Sequence, residues 1–153
     1  MRYQYFGETH DNTVIETGWF DNLVLNSGLD MVGTAYTPFV YCQLGTGSST
    51  PVATQTTLDA SVASASGYVS TNVNSGAPNY SAVVTYEYSF AQGAVVGNMA
   101  EIGIGPGSTG TLFSRALISN SSGPTTITIT AIDQLTVYYQ LTITPTITDQ
   151  TGS

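Results

Sequence analysis

Apolar residues along this chain recur at every second position over long stretches, the signature of half-buried β-strands. Near the C-terminus Ile127, Ile129 and Ala131 alternate with Thr126, Thr128 and Thr130. Beyond Ile132-Asp133-Gln134, the residues Leu135, Val137, Tyr139, Leu141 and Ile143 alternate with Thr136, Tyr138, Gln140 and Thr142. Period two on both sides of a short turn predicts an antiparallel hairpin with one buried and one threonine-rich face, ended by Pro145. A second hairpin is predicted from residues 100–104 and 111–118, which flank a stretch of turn formers from Gly105 to Gly110. With the turn centred near Ser108, Glu101 falls opposite Arg115, Ile102 opposite Ser114 and Ile104 opposite Leu112. Upstream, Tyr80, Ala82, Val84, Tyr86, Tyr88 and Phe90 share one face of a long strand and Glu87 lies on the other. Residues 13–20, 39–44 and 62–69 are shorter strand candidates, while 45–57 and 71–79 read as polar loops.

One segment has helical character. Ser27 is placed to cap a short helix through Leu29, Asp30, Met31 and Val32, closed by Gly33. About seven or eight strands with a single short helix predict an all-β chain. The expected fold is a single-domain β-sandwich of Greek-key or jelly-roll type, with one short helix near residues 27–33. Residues 17–153 form the sandwich domain. Residues 1–16 lack strong periodicity and are expected to be an N-terminal arm or an edge segment.

Composition sharpens this picture. The 153 residues carry two cationic side chains, Arg2 and Arg115, no lysine and ten carboxylates, for a net charge of −8. That balance argues against nucleic acid and against anionic membrane surfaces, both of which are bound through clustered Lys and Arg. A single cysteine, Cys42, precludes an intrachain disulfide, and a single histidine, His10, leaves no zinc site of Cys/His type. No metal and no cofactor are expected. MRYQYFGETH lacks the apolar run of a signal peptide, and no stretch of about 18 apolar residues is available to span a bilayer. A soluble product of the cytoplasm, or of a virus assembled there, is expected. A chain without lysine also lacks a common guard for exposed strand edges, which leaves two readings: a well-closed sandwich with a neutral polar coat, or, favoured over it, a surface largely covered by neighbours in an assembly.

Catalytic constellations are scarce. Gly105, Gly107 and Gly110 match G-x-G-x-x-G in form, but a strand follows where the dinucleotide motif needs a helix N-terminus. Asp11, Asp21, Asp30, Asp59, Asp133 and Asp149 are scattered and read as solvated loop and cap positions. Glu101 and Arg115 differ, since both lie inside strands among apolar neighbours. They are expected to form a structural ion pair that fixes hairpin register. Both faces of that hairpin carry apolar groups, with Ala100, Ile102, Ile104, Leu112, Ala116 and Ile118 on one and Met99, Phe113 and Leu117 on the other. The second face needs a cover, expected from the segment between Trp19 and Val32, extended by a partner subunit. Trp19, Phe113 and Leu117 are therefore candidate interface residues.

The order of several motifs carries a resemblance. Thr17-Gly18-Trp19-Phe20-Asp21-Asn22-Leu23-Val24 is followed by Asn26-Ser27-Gly28-Leu29-Asp30, then by Leu44-Gly45-Thr46-Gly47-Ser48-Ser49-Thr50-Pro51 leading to Thr57-Leu58. Glu101-Ile102-Gly103-Ile104, Gly110-Thr111-Leu112-Phe113-Ser114-Arg115-Ala116-Leu117 and Asp133-Gln134-Leu135-Thr136-Val137-Tyr138-Tyr139 complete the series. In this order they resemble small β-structured virion proteins of tailed bacteriophages, of the tail-fibre-like, collar or minor structural kind. The resemblance spans residues 17–143 and rests on order and spacing. It implies a non-enzymatic virion subunit, acting in the tail or neck as an adaptor or fibre-attachment protein, with copies of itself and other virion proteins as partners. A capsid decoration protein is the alternative. A host-glycan-binding module is a third reading, with Tyr3, Tyr5, Tyr68, Tyr80 and Trp19 as stacking faces, although core packing also accounts for Tyr80 and Trp19.

Overall fold

The computed structural model describes residues 2–8, 14–34, 37–78 and 80–144. His10, Asp11, Pro145 and Asp149, considered above, lie outside the described residues. The chain is all-β with one short helix. The strands in order are β1 (Arg2–Glu8), β2 (Val14–Glu16), β3 (Phe20–Asp21) and β4 (Leu23–Val24), then helix α1 (Asn26–Val32) and β5 (Tyr41–Gly45). There follow β6 (Ser61–Ser75), β7 (Ser81–Phe90), β8 (Gly97–Met99), β9 (Glu101–Gly105) and β10 (Ser114–Leu117). The remaining strands are β11 (Ser119–Asn120), β12 (Gly123–Pro124), β13 (Ile127–Ile129) and β14 (Gln134–Ile143).

The main antiparallel sheet runs in the order β2-β1-β14-β7-β6-β5-β9-β10-β4, with β3 paired to β1, and β11–β12 and β13–β8 form two separate two-stranded sheets. Strands β5, β6 and β7 follow one another as neighbours, and β9 returns to lie beside β5, which is a Greek-key order. The two sandwich layers are thus halves of one curled sheet, joined by β6. Residues 61–66 of β6 pair with β5, and residues 67–75 pair with β7. Gly67 stands at the changeover, because a Cβ there would collide with the Tyr88 ring. Its N–H still reaches back to the Val40 carbonyl at 2.9 Å.

The core lies between the halves. Cys42, Leu44, Ile102, Ile104 and Ala116 from one meet Tyr88, Phe90, Leu135, Val137 and Tyr139 from the other. The alternation read from β7 and β14 places these side chains correctly, and the buried Tyr88 hydroxyl donates to the Phe39 carbonyl at 2.6 Å. A smaller cluster of Leu25, Leu58 and Leu112 lies apart from it.

Several expectations need correction. The C-terminal hairpin does not form. Asp133 Oδ2 accepts from the Thr130 N–H at 2.7 Å and its hydroxyl at 2.9 Å, which makes the turn. β13 then leaves to pair with β8, while both edges of β14 are taken by β1 and β7. Alternation reports which face is buried and not which strand is the neighbour. The candidate strand 13–20 is broken at Gly18, where φ is 77°. The supposed loop 71–79 begins as strand, because pairing with β7 carries β6 on through polar residues to Ser75. Residues 2–8 and 14–16, expected to be an arm or an edge segment, form β1 and β2, and β2 is the end strand of the main sheet. Ser27 does not cap α1: Leu25 holds that position, and the Ser27 hydroxyl instead donates to the Leu112 carbonyl at 2.7 Å.

Helix α1 packs unusually close to the strand beneath it. The Leu25 N–H donates to the Phe113 carbonyl at 3.0 Å, and Gly28 is buried against the same backbone. A Cβ on Gly28 would overlap the Phe113 carbonyl group, which has no room to yield. Gly28→Ala is therefore expected to destabilise the chain by about 1–3 kcal/mol, the usual cost of forced overpacking, despite alanine's better helix propensity. Urea denaturation of the two proteins checks this.

Candidate functional site

The most highly organised polar group in the described structure is centred on Glu101 and Arg115. Both side chains have no exposed surface, and Arg115 Nη2 lies 2.9 Å from Glu101 Oε2. Arg115 Nε donates to the same oxygen at 3.2 Å. The register differs from the expected one by two residues: Leu117 faces Glu101, and Arg115 faces Gly103. The ion pair is diagonal as a result. The residue directly opposite Arg115 has no side chain, so the guanidinium is not blocked on its way to Glu101. The turn read from sequence was centred slightly too early, because residues 106–113 lie outside the strands.

The remaining capacity of Glu101 is filled by backbone. Oε1 accepts from the N–H of Gly47 at 3.0 Å and of Ala60 at 2.7 Å, and Oε2 from the N–H of Asp59 at 2.9 Å. One carboxylate thus fastens both ends of the 46–60 loop to β9. Gly47 permits this, since a Cβ there would lie 2.6 Å from Oε1. Arg115 anchors the loop's middle: Nη1 donates to Gln55 Oε1 at 3.0 Å, and Nη2 reaches Ser49 Oγ at 3.4 Å and Asp59 Oδ2 at 3.2 Å. Asp59 also accepts from the Ser49 N–H at 3.0 Å and from the Ser49 hydroxyl. These Ser49 hydrogen bonds, more than the nearby guanidinium, hold the Asp59 carboxyl below its ordinary pKa. Asp59, Ser49, Gln55 and Gly47 were missed in the sequence, where Asp59 read as one more solvated carboxylate. The available signal was scarcity: a lone buried cation attracts every acid within reach.

The three candidate interface residues separate. Phe113 is only 3% exposed and cannot serve as an interface, because its ring stacks edge-on against Phe39 at 4.8 Å inside the chain. Leu112 and Phe113 have exchanged the faces expected of them. Leu112 joins Leu25 and Leu58, and Phe113 joins the aromatic group of Phe39, Tyr86 and Tyr139. The alternation fails here because β10 starts only at Ser114. Cover for the outer side of β9–β10 comes from α1 and the 46–60 loop of the same chain. Leu117 is half-buried and lines a cleft of about 360 Å3 with Ser48, Ala100, Pro124, Thr125 and Thr126. Trp19 is exposed.

A neighbouring cleft of about 340 Å3 shares Thr125 and Thr126, and Glu16 is the titratable side chain among its described lining residues. Among the described residues neither cleft brings two carboxylates, a cysteine or a histidine together. Among the described residues no three His, Cys, Asp or Glu side chains are grouped to hold a metal ion. No helix among them is long and apolar enough to cross a membrane. The Cys42 thiol is fully buried and pushed far up in pKa by desolvation, which makes it a poor nucleophile. Chemically, the Glu101–Arg115 group can hold a loop and little else, since its polar atoms are already engaged with one another.

Two outcomes follow. Arg115→Ala leaves Glu101 as a desolvated, unpaired charge and is expected to cost about 3–5 kcal/mol, read as a large fall in Tm. Asp59 sets a pH response. Its folded pKa is depressed, so its contribution is fully present above the unfolded value of about 3.9 and is lost as pH falls through the folded one. Chemical denaturation between about pH 5 and pH 2 should show this loss, and Asp59→Asn should flatten the slope in that window.

Comparison with known protein families, with curated proteins and with solved structures found no match.

Proposed function

We propose that this chain is a non-enzymatic structural protein of a tailed-phage virion, acting in the tail or neck as an adaptor or fibre-attachment subunit. Its partners are copies of itself and other virion proteins, and it is carried in the particle after assembly in the bacterial host cytoplasm. The motif order described above suggests this class. The observation that carries the non-enzymatic reading is the closed Glu101–Arg115 group, in which the most distinctive charged side chains serve to pin a loop. A buried, satisfied ion pair of this kind suits a rigid building block better than a reaction centre, which needs groups free to meet substrate. Decoration of the capsid is the alternative placement for the same kind of subunit.

A second reading, host-glycan binding, draws support from exposure. Tyr68, Tyr80 and Trp19 present 58%, 54% and 42% of their surfaces to solvent, so Tyr80 and Trp19 are not the core residues their sequence context suggested. Tyr68 and Tyr138 both lie opposite Glu87 in the strand register, giving a carboxylate between two phenols on one sheet face. Tyr3 and Tyr5 lie on β1, whose side chains fall outside the description. Aromatic faces beside a carboxylate are a common means of holding sugars.

Immunogold labelling or cryo-EM of particles decides between these placements. Signal at the tail or neck is the expected result, signal on the capsid surface favours decoration, and absence from purified particles overturns the proposal. Binding to a glycan array that is lost in Tyr68→Ala would favour the second reading.

A further inference from the structure

We propose that the free edge of β6, from Thr71 to Ser75, pairs antiparallel with the same edge of a second copy about a two-fold axis through Val73. The inference deepens the reading of the chain as an assembly subunit and rests on it. Strand β5 accompanies β6 only as far as Ser66, and the last bond across that side is from Gly67 to Val40. Beyond it β6 continues to Ser75 with β7 as its partner on the opposite edge, so among the described residues the backbone groups facing away from β7 have no strand beside them. A bulge lies between Val69 and Thr71, and from Thr71 to Ser75 the register with β7 is regular. All five residues are exposed, Val73 at 60%.

The other two ends of the sheet are treated differently. β2 has three residues and β4 has two, short enough to offer little template for pairing. From Thr71 to Ser75, beyond the bulge, the β6 edge carries no lysine, no proline and no charge. No charged residue occurs anywhere between Asp59 and Glu87. In a chain of net charge −8, contact through this uncharged run sets no carboxylate of the edge strand against another.

The sequence of the edge matches itself. Antiparallel two-fold pairing centred on Val73 sets Asn72 against Asn74 of the second copy and Thr71 against its Ser75. Thr-Asn-Val-Asn-Ser is nearly the same read in either direction, so each pair joins like with like. Hydroxyl pairs and amide pairs hydrogen-bond across strands, and the two valines meet on the axis. Such isologous contact closes after two copies and explains why the partner is a second copy.

The register makes the test specific. Opposed Cα atoms in an antiparallel pair lie about 4.5–5.5 Å apart, within the range of about 4.4–6.8 Å that a disulfide spans. In Val73→Cys, mild oxidation should link most of the protein into dimers, and native Cys42 is buried and cannot substitute. Ser75→Cys alone should not link, because it faces Thr71, whereas Thr71→Cys with Ser75→Cys should. Sedimentation equilibrium of the unmodified chain should show a dimer that strengthens with salt as the net charge is screened. Val73→Lys should weaken it about tenfold or more, since two like charges then meet on the axis, even though the change lowers the net repulsion. Circular dichroism and melting of each variant confirm that the exposed substitutions leave the fold intact. A monomer up to millimolar concentration, a dimer indifferent to Val73→Lys, or equal linking by Ser75→Cys alone would overturn the proposal. Particle location is read without reference to the dimer, so failure here leaves the virion assignment to its own experiment.

Discussion

A carboxylate with no surface in water must be given every hydrogen bond it loses, or the fold cannot keep it. Glu101 meets that condition with three backbone N–H groups and two guanidinium N–H groups. The requirement reaches outward from there. The N–H groups come from residues 47, 59 and 60, so the loop between β5 and β6 has to fold down onto β9. That loop brings Leu58 against Leu112, and Leu112 against Leu25 at the start of α1. The small outer cluster, the helix and the loop thus form one layer whose position depends on one acid. Removing both partners of the pair would not be neutral, because the three N–H donors of residues 47, 59 and 60 would lose their shared acceptor, and with it the loop would lose its hold on β9.

The inner layer has a different logic. It is built by the curl of a single sheet, and the curl is concentrated in β6, which serves β5 with one half and β7 with the other. Gly67 lets the Tyr88 ring fill the space inside the bend, and the Phe39 carbonyl takes up the Tyr88 hydroxyl there. Phe39, Phe113, Tyr86 and Tyr139 form an aromatic group beside this bend. Phe113 therefore ties the inner aromatic group to the outer layer, since its carbonyl receives the first N–H of the helix segment at Leu25.

How much of this could be read from the residues depended on whether the controlling interaction was local. Alternation in β7 and β14 identified Tyr88, Phe90, Leu135, Val137 and Tyr139 as inward-facing, because burial of one face is a property of each strand alone. The pairing of those strands was not legible. β13 and β14 adjoin in sequence and look like a hairpin, yet the choice of neighbour is made by β8, β7 and β1. The Glu101–Arg115 contact was legible from scarcity of charge, but its diagonal register was set by a turn whose residues outside the strands gave no count. Asp59 and Gly47 were hidden for a related reason: their roles exist only once a loop more than 40 residues away has folded over Glu101. Ser27 looked like a cap because caps are chosen by residue type, whereas here the close approach to Leu112 offered its hydroxyl a better acceptor.

The placement of charge links these layers to the surface. One of the two cations sits wholly inside, bound to Glu101 and Asp59, and so contributes nothing to guarding an edge. Solubility of the separate chain then falls to the carboxylates, which act through repulsion between whole molecules and protect no particular strand. Protection at the level of strands comes from shape, through ends only two or three residues long at β4 and β2. β6 cannot be shortened in the same way, because the strand that bends the sheet must be long enough to serve both halves. Its length is a consequence of the curl, and the open edge beyond Gly67 is a consequence of its length. Among the described residues, a fold built mainly from one bent sheet and carrying almost no positive charge leaves the Thr71–Ser75 run of β6 uncharged and without a strand beside its outer edge, because the same length that lets β6 serve both halves carries it past the end of β5.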